Sequence, residues 1–274
     1  MAPVTTVSQV FAAIQGAKAG ASAFCTNFFP AQGKLQGWVD RAELLGQFQD
    51  RSAFFLRKDR DFWHLYFCAP DVATLRQGIE ALPNLKTQRV AVDLVGSEAV
   101  LGDLLNALEL AGFRRYARLI RLARPGQPTQ SQSSSGGEVV GYADKSDCPA
   151  IIHLLECSFD RYADQLPTLD EIEAAIAARQ VLVVRQEGAL AALLYFESQG
   201  FTSTVRYWVV AEQFRAHRFG SALMRHYFSA QGVIRRFILW VTADNENAVM
   251  KYRHYGYVPD GLIDHVLVNE MTLQ

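Results

Sequence analysis

The residues whose types and spacing point most clearly to ligand binding lie between Val210 and Met224. A strand end, a short polar loop and a helix start follow one another there. A helix start leaves backbone N–H groups unpaired and carries partial positive charge, so it suits a pyrophosphate. Arg215, His217 and Arg218 place further donors around that point. The same segment is also compatible with an ordinary strand-to-helix turn whose basic residues are solvated.

A second group of residues follows on a predicted helix that ends at Gly256. On that helix Ala248, Tyr252 and Tyr255 share a face, because they are four and three residues apart. The small side chain of Ala248 leaves space beside Tyr252. A hydroxyl at this place can donate a proton, although a tyrosine at such spacing can equally be a core aromatic of an amphipathic helix.

The pattern of elements around these groups alternates between strands and helices. Period-two runs predict the strands and apolar stripes predict the helices. The predicted order is strand, two helices, three strands, helix, strand, helix and strand. The strands are Glu138 to Tyr142, Val181 to Arg185, Ala189 to Glu197, Thr204 to Val210, Phe237 to Val241 and Leu262 to Val268, and the helices are Cys148 to Cys157, Thr168 to Ala178, Arg218 to Ala230 and Glu246 to His254.

The loop between Val210 and the following helix resembles the acyl-CoA loop of the GNAT superfamily of N-acyltransferases. The family pattern is R/Q-x-x-G-x-G/A at the start of a helix; Arg215 matches its first position and Gly220 its last, and Phe214 occupies the usual aromatic position. Arg218 stands where the family usually has its first glycine. A side chain there either narrows the loop or supplies a charged contact.

The second group is similar to another GNAT signature, N-x-x-A-x-x-x-Y-x-x-x-G-F/Y. Asn245, Ala248, Tyr252 and the pair Gly256-Tyr257 match it. The resemblance covers roughly residues 138–268 well and residues 52–123 only in outline.

The resemblance implies an acyl-CoA donor, most simply acetyl-CoA, as co-substrate, and an amine acceptor without a metal. The donor's pantetheine is expected to enter between the strand that ends at Val210 and the strand from Phe237, and to pair with the backbone of the first. The residues expected to bind the donor are Trp208, Val210, Arg215, Ala216, His217, Arg218, Phe219, Gly220, Ser221 and Asn245.

The resemblance also implies catalytic roles, because the amine must lose a proton and the departing thiolate gains by receiving one. Tyr252 is the predicted proton donor and Glu197, at a strand end, the predicted base. Glu212 is a weaker candidate for the base, and His217 and His254 are weaker still. Some GNAT enzymes use a water chain, so the base need not be a side chain.

The first half of the chain echoes the second. Strand, helix, Gly-aromatic and strand occur from Val90 to Phe113 and again from Phe237 to Tyr257, which predicts a tandem repeat of one fold. The segment from Ala69 to Gly78 has no glycine-bearing phosphate loop. We therefore expect the first lobe to bind no donor and to act in packing, substrate gating or shaping the acceptor site.

A linker divides the two halves. Apolar residues vanish between Pro125 and Gly137, a composition typical of a flexible connection. We therefore predict a degenerate lobe at residues 1–124, a linker at 125–137 and a catalytic domain at 138–274. The predicted fold class is α/β (α+β), with two GNAT-like lobes, each a mixed, largely antiparallel sheet flanked by helices.

The composition restricts which binding partners and which cellular compartment are expected. Among 274 residues, 27 Lys and Arg balance 28 Asp and Glu, so no global field attracts nucleic acid or an anionic membrane. The sequence indicates no secretory signal and no spanning helix. We interpret all four cysteines as buried thiols of a protein in a reducing cytoplasm, without a metal role. They are Cys25, Cys68, Cys148 and Cys157.

Three functions remain compatible with these patterns. The first is a catalytic N-acetyltransferase; the second is a module that senses CoA without turning it over; the third is an acyltransferase that takes a longer chain from acyl carrier protein. Arg225, Arg235 and Arg236 could meet that acidic carrier, or could simply be solvated. The acceptor, a small-molecule or peptide amine, and the oligomeric state are not determined by the sequence.

Overall fold

The computed structural model describes residues 1–30, 32–49, 51–126 and 140–269. Most of the predicted linker, residues 127–137, lies outside the described residues. The chain forms two compact units, the first comprising residues 1–119 and 261–274 and the second residues 120–260. The last strand was predicted to belong to the second lobe, whereas the structure groups most of it with the first unit.

Counted over the described residues, the first unit contains six whole strands, most of the last strand of the chain, part of the strand Phe113–Pro125 and four helices. Its strand order is β1-β3-β4-β5-β6-β13, with β2 beside β5. The elements are β1 (Ala2–Pro3), α1 (Val7–Lys18), β2 (Cys25–Thr26), α2 (Gln32–Asp40), β3 (Leu44–Gln49), β4 (Ser52–Asp59), β5 (Phe62–Ala69), α3 (Val72–Glu80), β6 (Val90–Gly96), α4 (Glu98–Leu110) and the later strand β13 (Val258–Asn269), with a 3₁₀ turn at Pro83–Lys86.

The second unit repeats this plan. Its strand order is β7-β12-β11-β10-β9-β8, and the unit boundary falls within β7, between Leu119 and Ile120. The elements are β7 (Phe113–Pro125), β8 (Val140–Tyr142), α5 (Cys148–Ser158), α6 (Leu169–Ala177), β9 (Val181–Gln186), β10 (Ala189–Gln199), β11 (Thr202–Val210), α7 (Phe219–Ala230), β12 (Arg236–Thr242) and α8 (Glu246–His254), with 3₁₀ turns at Lys145–Asp147 and Glu212–His217.

The predicted tandem repeat and the predicted fold class are confirmed. Along the chain, residues 1–125 and residues 140–269 each follow the order strand, two helices, three strands, helix, strand, helix and strand, apart from the additional short β2. The strand β7 ends the first series and β13 ends the second. In both, most neighbouring strands are antiparallel, and one pair in each is parallel: β5 with β6 and β11 with β12. The helices α1 and α2, which begin before Leu44, were not predicted.

The sheet of the second unit is covered by helices on both faces. One core packs α7 and α8 against the sheet through Leu223, Tyr227 and Tyr252. The other packs α5 and α6 against the opposite face through Ile151 and Ile172. Because apolar side chains of a strand alternate between faces, β10 and β11 contribute to both cores.

The cysteines are free thiols, and one of them departs from prediction. Cys25, Cys68 and Cys148 are buried, whereas Cys157 is exposed on α5. It was predicted to be buried like the other three, but the stripe of the helix that faces the core is formed by Cys148, Ile151 and Leu155. Within the described residues there is no cluster of three or more His, Cys, Asp or Glu that could hold a metal ion, and no helix that could span a membrane.

Two helix glycines of the first unit make a matched test of the packing. A Cβ at Gly78 in α3 would lie 2.2 Å from Cζ of the buried Phe54, whereas a Cβ at Gly102 in α4 would meet nothing within 4 Å. We expect Gly78→Ala to lower the free energy of unfolding by about 1–3 kcal/mol through overpacking. Gly102→Ala should raise it by up to about 1 kcal/mol through helix propensity. Denaturant unfolding of the full chain measures both, and equal effects of the two changes would contradict this account.

Candidate active site

The parallel pairing of β11 with β12 stops halfway along β11. The ladder runs from Thr202 opposite Arg236 to Val205 opposite Leu239. The rest of β11, through Val210, lies beyond it and pairs only with β10 on its other side. The predicted parting of these two strands is therefore present, and it leaves backbone N–H and C=O groups of β11 without a partner from β12.

A β-bulge lies at the point where the strands part. Tyr195 of β10 is opposite Tyr207, and the next residue, Phe196, is opposite Val205, so Arg206 is the extra residue on β11. The bulge changes which side chains face each core. Val205 packs with α7, and past the bulge Trp208 and Val210 also face that side, while Tyr207 faces α5 and α6.

The helix α7 begins just past the end of β11 and has no side-chain cap. Arg218, its N-cap residue, has φ +58° and ψ +18°, the left-handed region that favours glycine. The loop thus adopts a conformation that suits glycine, with arginine in place. Its exposed side chain adds positive charge beside the N–H groups of the helix.

Gly220 is buried because an indole packs on it. Nε1 of Trp208 donates a hydrogen bond of 3.1 Å to the Gly220 carbonyl oxygen, and a Cβ at Gly220 would lie 3.1 Å from Cζ2 of Trp208. A larger residue must therefore displace the indole or the helix start. The contact fixes the first turn of α7 against β11, so the two predicted halves of the donor site form one surface.

The loop before α7 is held by aromatic and charged contacts. His217 stacks on Phe219 with ring centroids 5.3 Å apart, and its ring nitrogen lies 3.3 Å from the Phe214 carbonyl oxygen. Arg215 lies 3.6 Å from the carboxylate of Glu212, and both side chains are exposed. The weak, exposed pair leaves Arg215 able to turn toward an anion. Ala216 belongs to the same 3₁₀ turn, and Ser221 is half-buried in the first turn of α7.

Tyr252 contacts the same indole. Its ring centroid lies 5.5 Å from that of Trp208 and 6.0 Å from that of Tyr257. Burial raises the pKa of the Tyr252 hydroxyl well above its ordinary value, and the negative charge of Asp164 raises this pKa further. The phenol is therefore protonated at neutral pH and can donate a proton.

Glu197, the predicted base, and Asn245, one of the residues expected to bind the donor, each have a partner of their own in the unit. Glu197 is opposite Thr204, within the paired part of β11, and its carboxylate accepts a hydrogen bond of 3.3 Å from the Tyr195 hydroxyl. Asn245 is the N-cap of α8, and its side chain accepts from the Ala248 N–H at 3.1 Å. This capping bond gives Asn245 a structural role.

Sequence reasoning passed over Asp164, which lies in the loop between α5 and α6. The pKa of its carboxyl is raised to about 6, chiefly by burial; the N–H of Asp160 and the charge of Arg206 oppose the rise, and the charge of Asp160 adds to it. A single aspartate in a polar loop carries no distinguishing sequence signal. Only its neighbours in the fold set it apart.

The corresponding parting in the first unit is filled by the chain itself. The β5–β6 ladder covers only Trp63 and His64, and β2 then pairs with Ala69 and Cys68 on the edge of β5 that β4 does not occupy. Just after β2, Nδ2 of Asn27 donates to the carbonyl oxygens of Leu65 on β5 and Asp93 on β6, at 3.0 and 3.1 Å.

The helix after β5 also differs from α7 at its start. Asp71 is the N-cap of α3, and its carboxylate accepts from the Thr74 N–H at 2.8 Å. This hydrogen bond lowers the pKa of Asp71. A negative charge already lies at this helix start, so it does not suit a second anion.

Buried charges near the β5–β6 parting are another feature that sequence reasoning missed. His64 is fully buried, with its ring nitrogens 3.3 Å from Asp59 and 3.6 Å from Asp93. Burial alone lowers the pKa of His64, but the two neighbouring carboxylates outweigh it and raise the pKa. The cluster stabilises the charged form of His64 inside the first unit.

Comparison with known proteins agrees with this geometry. Residues 148–257 match the model of the acetyltransferase (GNAT) family. No curated protein matches the sequence.

Solved structures that resemble all or most of the chain include one described as a tandem protein. A tandem GNAT protein from the clavulanic acid biosynthesis pathway is 12% identical, with a TM-score of 0.63 over 100% of this chain and 98% of that one. A GCN5-related N-acetyltransferase from Kribbella flavida is 16% identical, with a TM-score of 0.58 over 93% and 96% of the two chains. At such identities the likeness shows the fold alone.

Proposed function

We propose, on the match of residues 148–257 to the acetyltransferase (GNAT) family model, that this protein is an N-acyltransferase that transfers an acyl group, most simply acetyl, from acyl-CoA to an amine. The observation that carries the proposal is the parting of β11 from β12 beside the uncapped start of α7. One groove there offers partners for both ends of an acylated pantetheine phosphate: unpaired strand backbone for its amides and helix N–H groups for its pyrophosphate.

The donor is held mainly by backbone in this proposal. The part of β11 that includes Trp208 and Val210 hydrogen bonds to the pantetheine amides, as a neighbouring strand would. The N–H groups of Phe219, Gly220 and Ser221 point at the pyrophosphate, because the first turn of a helix leaves them without intrahelical partners. The exposed basic side chains before α7 add charge-assisted hydrogen bonds.

The chemical step is a direct attack of the amine on the thioester in a ternary complex. The carbonyl carbon forms a bond to nitrogen and loses its bond to sulfur. Tyr252, which stays protonated because burial raises its pKa, gives a proton to the departing thiolate. The aromatic wall of Trp208 and Tyr252 excludes water from the thioester, which limits hydrolysis.

The first unit does not bind the donor in this proposal. Asn27 bridges the parted strands β5 and β6, and Asp71 caps α3 with a carboxylate. The positions of pantetheine and pyrophosphate are both taken by the chain's own groups. Free thiols and a CoA thioester substrate both fit a reducing cytoplasm, which is where we place the protein.

The carrier-protein alternative finds less support among the arginines that suggested it. Nη2 of Arg236 lies 2.5 Å from the Asp260 carboxylate, and Arg235 lies over the Phe201 ring, 4.4 Å from its centroid. Their positive charges are already engaged within the second unit. CoA is therefore the proposed form of the donor.

Calorimetry with acetyl-CoA and with CoA tests the donor site. We expect micromolar binding of both with one site per chain, because the groove of the first unit is filled. Release of thiol from acetyl-CoA in the presence of kanamycin, L-lysine, spermidine or a short peptide then tests turnover. Absence of binding would overturn the proposal. Binding with no thiol release from any amine would indicate a CoA sensor, and two sites per chain would contradict the role given to Asn27.

A further inference from the structure

The loop that carries Asp164 is fastened to β11 just past its bulge. The Tyr207 hydroxyl lies 2.9 Å from the Asp164 carbonyl oxygen and 2.8 Å from that of Gln165. Tyr207 directly follows the bulged Arg206, where pairing with β12 has ended. Asp164 is therefore held beside the parted strands, on the face of the sheet that packs α5 and α6.

The loop itself is ordered by its own hydrogen bonds. The Asp160 N–H donates to Oδ2 of Asp164 at 2.8 Å, and the Asp164 N–H donates back to the Asp160 carbonyl oxygen at 3.0 Å. The Asp160 carboxylate accepts from the N–H groups of Tyr162 and Ala163, both at 2.9 Å. These bonds use one carboxylate oxygen of Asp164, and its other oxygen has no hydrogen bond among those the structure shows.

Asp164 and Tyr252 approach the parting from opposite faces of the sheet. Tyr252 packs on Trp208, whose side chain faces α7 and α8, while Asp164 is tied to the neighbouring Tyr207, whose side chain faces α5 and α6. The two groups nevertheless interact, because the charge of Asp164 raises the pKa of Tyr252. A reacting centre between the parted strands thus has a proton donor on one side and a carboxylate on the other.

The protonation state of Asp164 suits a base. Its pKa is about 6, chiefly because burial raises it; the N–H of Asp160 and the guanidinium of Arg206 lower it, and the charge of Asp160 raises it. A carboxyl with this pKa is mostly ionised at neutral pH, yet binds a proton more readily than an exposed aspartate does. Glu197 lies farther along the sheet, opposite Thr204, where β11 is still paired with β12.

We propose that Asp164 is the general base of the reaction, and that its carboxylate also receives the acceptor as a cationic primary amine entering from the α5 and α6 face. The inference rests on the proposed function, and it replaces Glu197 in the role of base.

The reaction starts from the cationic amine and the thioester. The ammonium group of the acceptor gives one proton to the Asp164 carboxylate, and the freed nitrogen lone pair attacks the thioester carbonyl carbon. The carbon–sulfur bond then breaks, and Tyr252 protonates the thiolate. The second nitrogen proton returns to the Tyr252 oxygen, and Asp164 releases its proton to solvent. The net products are the amide, the free thiol and one proton.

Two kinds of nucleophile separate this role from a structural one. A primary amine such as spermidine arrives as a cation and needs a base, whereas hydroxylamine is weakly basic and already uncharged at neutral pH. We expect Asp164→Asn to lower kcat/KM with spermidine about 100-fold and to leave the hydroxylamine rate unchanged. In the wild type, kcat/KM with spermidine should fall as the pH drops below about 6, where Asp164 becomes protonated. The variant should lack this acidic limb of the pH profile.

Controls distinguish failure of this inference from failure of the proposed function. Two variants serve as controls, Glu197→Gln and Asp170→Asn, and Asp170 lies on the exposed start of α6. Both should keep the spermidine rate and the acidic limb of the pH profile. Asp164→Asn should bind acetyl-CoA like the wild type in calorimetry. Three results would overturn the role of Asp164 while transferase activity stands. They are an equal loss of rate with spermidine and hydroxylamine in Asp164→Asn, a fall of kcat/KM at low pH that persists in this variant, and a loss of the spermidine rate confined to Glu197→Gln. Wild-type protein that acylates neither nucleophile would overturn the proposed function and this inference with it.

Discussion

Replacing Tyr252 with phenylalanine is expected to lower kcat for amine acylation by about 100-fold or more, with little change in the Kd for acetyl-CoA. The hydroxyl is the group lost, and general acid catalysis contributes roughly 10²–10⁴-fold. The phenyl ring keeps the packing on Trp208, whose centroid lies 5.5 Å from that of Tyr252. Thiol release under saturating donor measures kcat, and calorimetry measures the Kd.

Tyr257→Phe is the matched control for this change. Tyr257 lies next to Tyr252, with ring centroids 6.0 Å apart, and its buried hydroxyl has no hydrogen-bond partner among the described residues. Removing that hydroxyl should leave kcat unchanged and should not lower stability, because an unpaired buried polar group is lost. A Tyr252→Phe enzyme with wild-type kcat would assign the proton donor to water or to another residue.

Replacing Gly220 with valine is expected to weaken acetyl-CoA binding about 10- to 100-fold. A Cβ at this position would lie 3.1 Å from Trp208 Cζ2, and the two further methyl groups would extend into the groove beside the helix start. A displaced helix start loses hydrogen bonds to the charged pyrophosphate, each worth about 1.5–3 kcal/mol, which corresponds to a change of this size in Kd. The displaced indole also disturbs β11, where the pantetheine amides are bound.

Gly102→Val separates the contact with Trp208 from the general effect of placing valine in a helix. Gly102 lies in α4 of the first unit, and a Cβ added there would meet nothing within 4 Å. The change therefore carries a comparable effect on helix propensity without the clash with an indole. We expect wild-type Kd for this control. If calorimetry shows equal Kd for acetyl-CoA in Gly220→Val and the wild type, the donor does not bind at the start of α7.

Much of the fold was predictable because its signals are local. The period of two in Phe237 to Val241 and the shared face of Ala248 and Tyr252 depend on residues that are close in sequence. The repeat of strand, helix and glycine-aromatic pair also needed no tertiary information. The helices α1 and α2 were not predicted. In α1 the apolar run is short and Gly16 follows it, and in α2 the apolar residues are few and lie among Gly33 and Gly37.

Other features depend on pairings between distant segments. The strand β13 pairs with β6 through Ile263 opposite Gly96, and nothing in its own sequence distinguishes this neighbour from one in the second half. The bulge at Arg206 follows from its register with β10, and the exposure of Cys157 follows from how α5 packs. Such choices are made by the free energy of packing, which a single strand or helix does not encode.

By itself, the sequence determined that a loop and helix start suited to pyrophosphate precede a helix that carries Tyr252, because both are set by the local backbone and by side-chain spacing. The tertiary structure decided which groove is open. In the first unit Asn27 closes the gap between β5 and β6 from 38 residues away in sequence, and in the second Tyr207 brings Asp164 to the parted strands across 43 residues. Contacts at such separations form only when the whole sheet assembles, so one repeat became a filled lobe and the other a candidate active site.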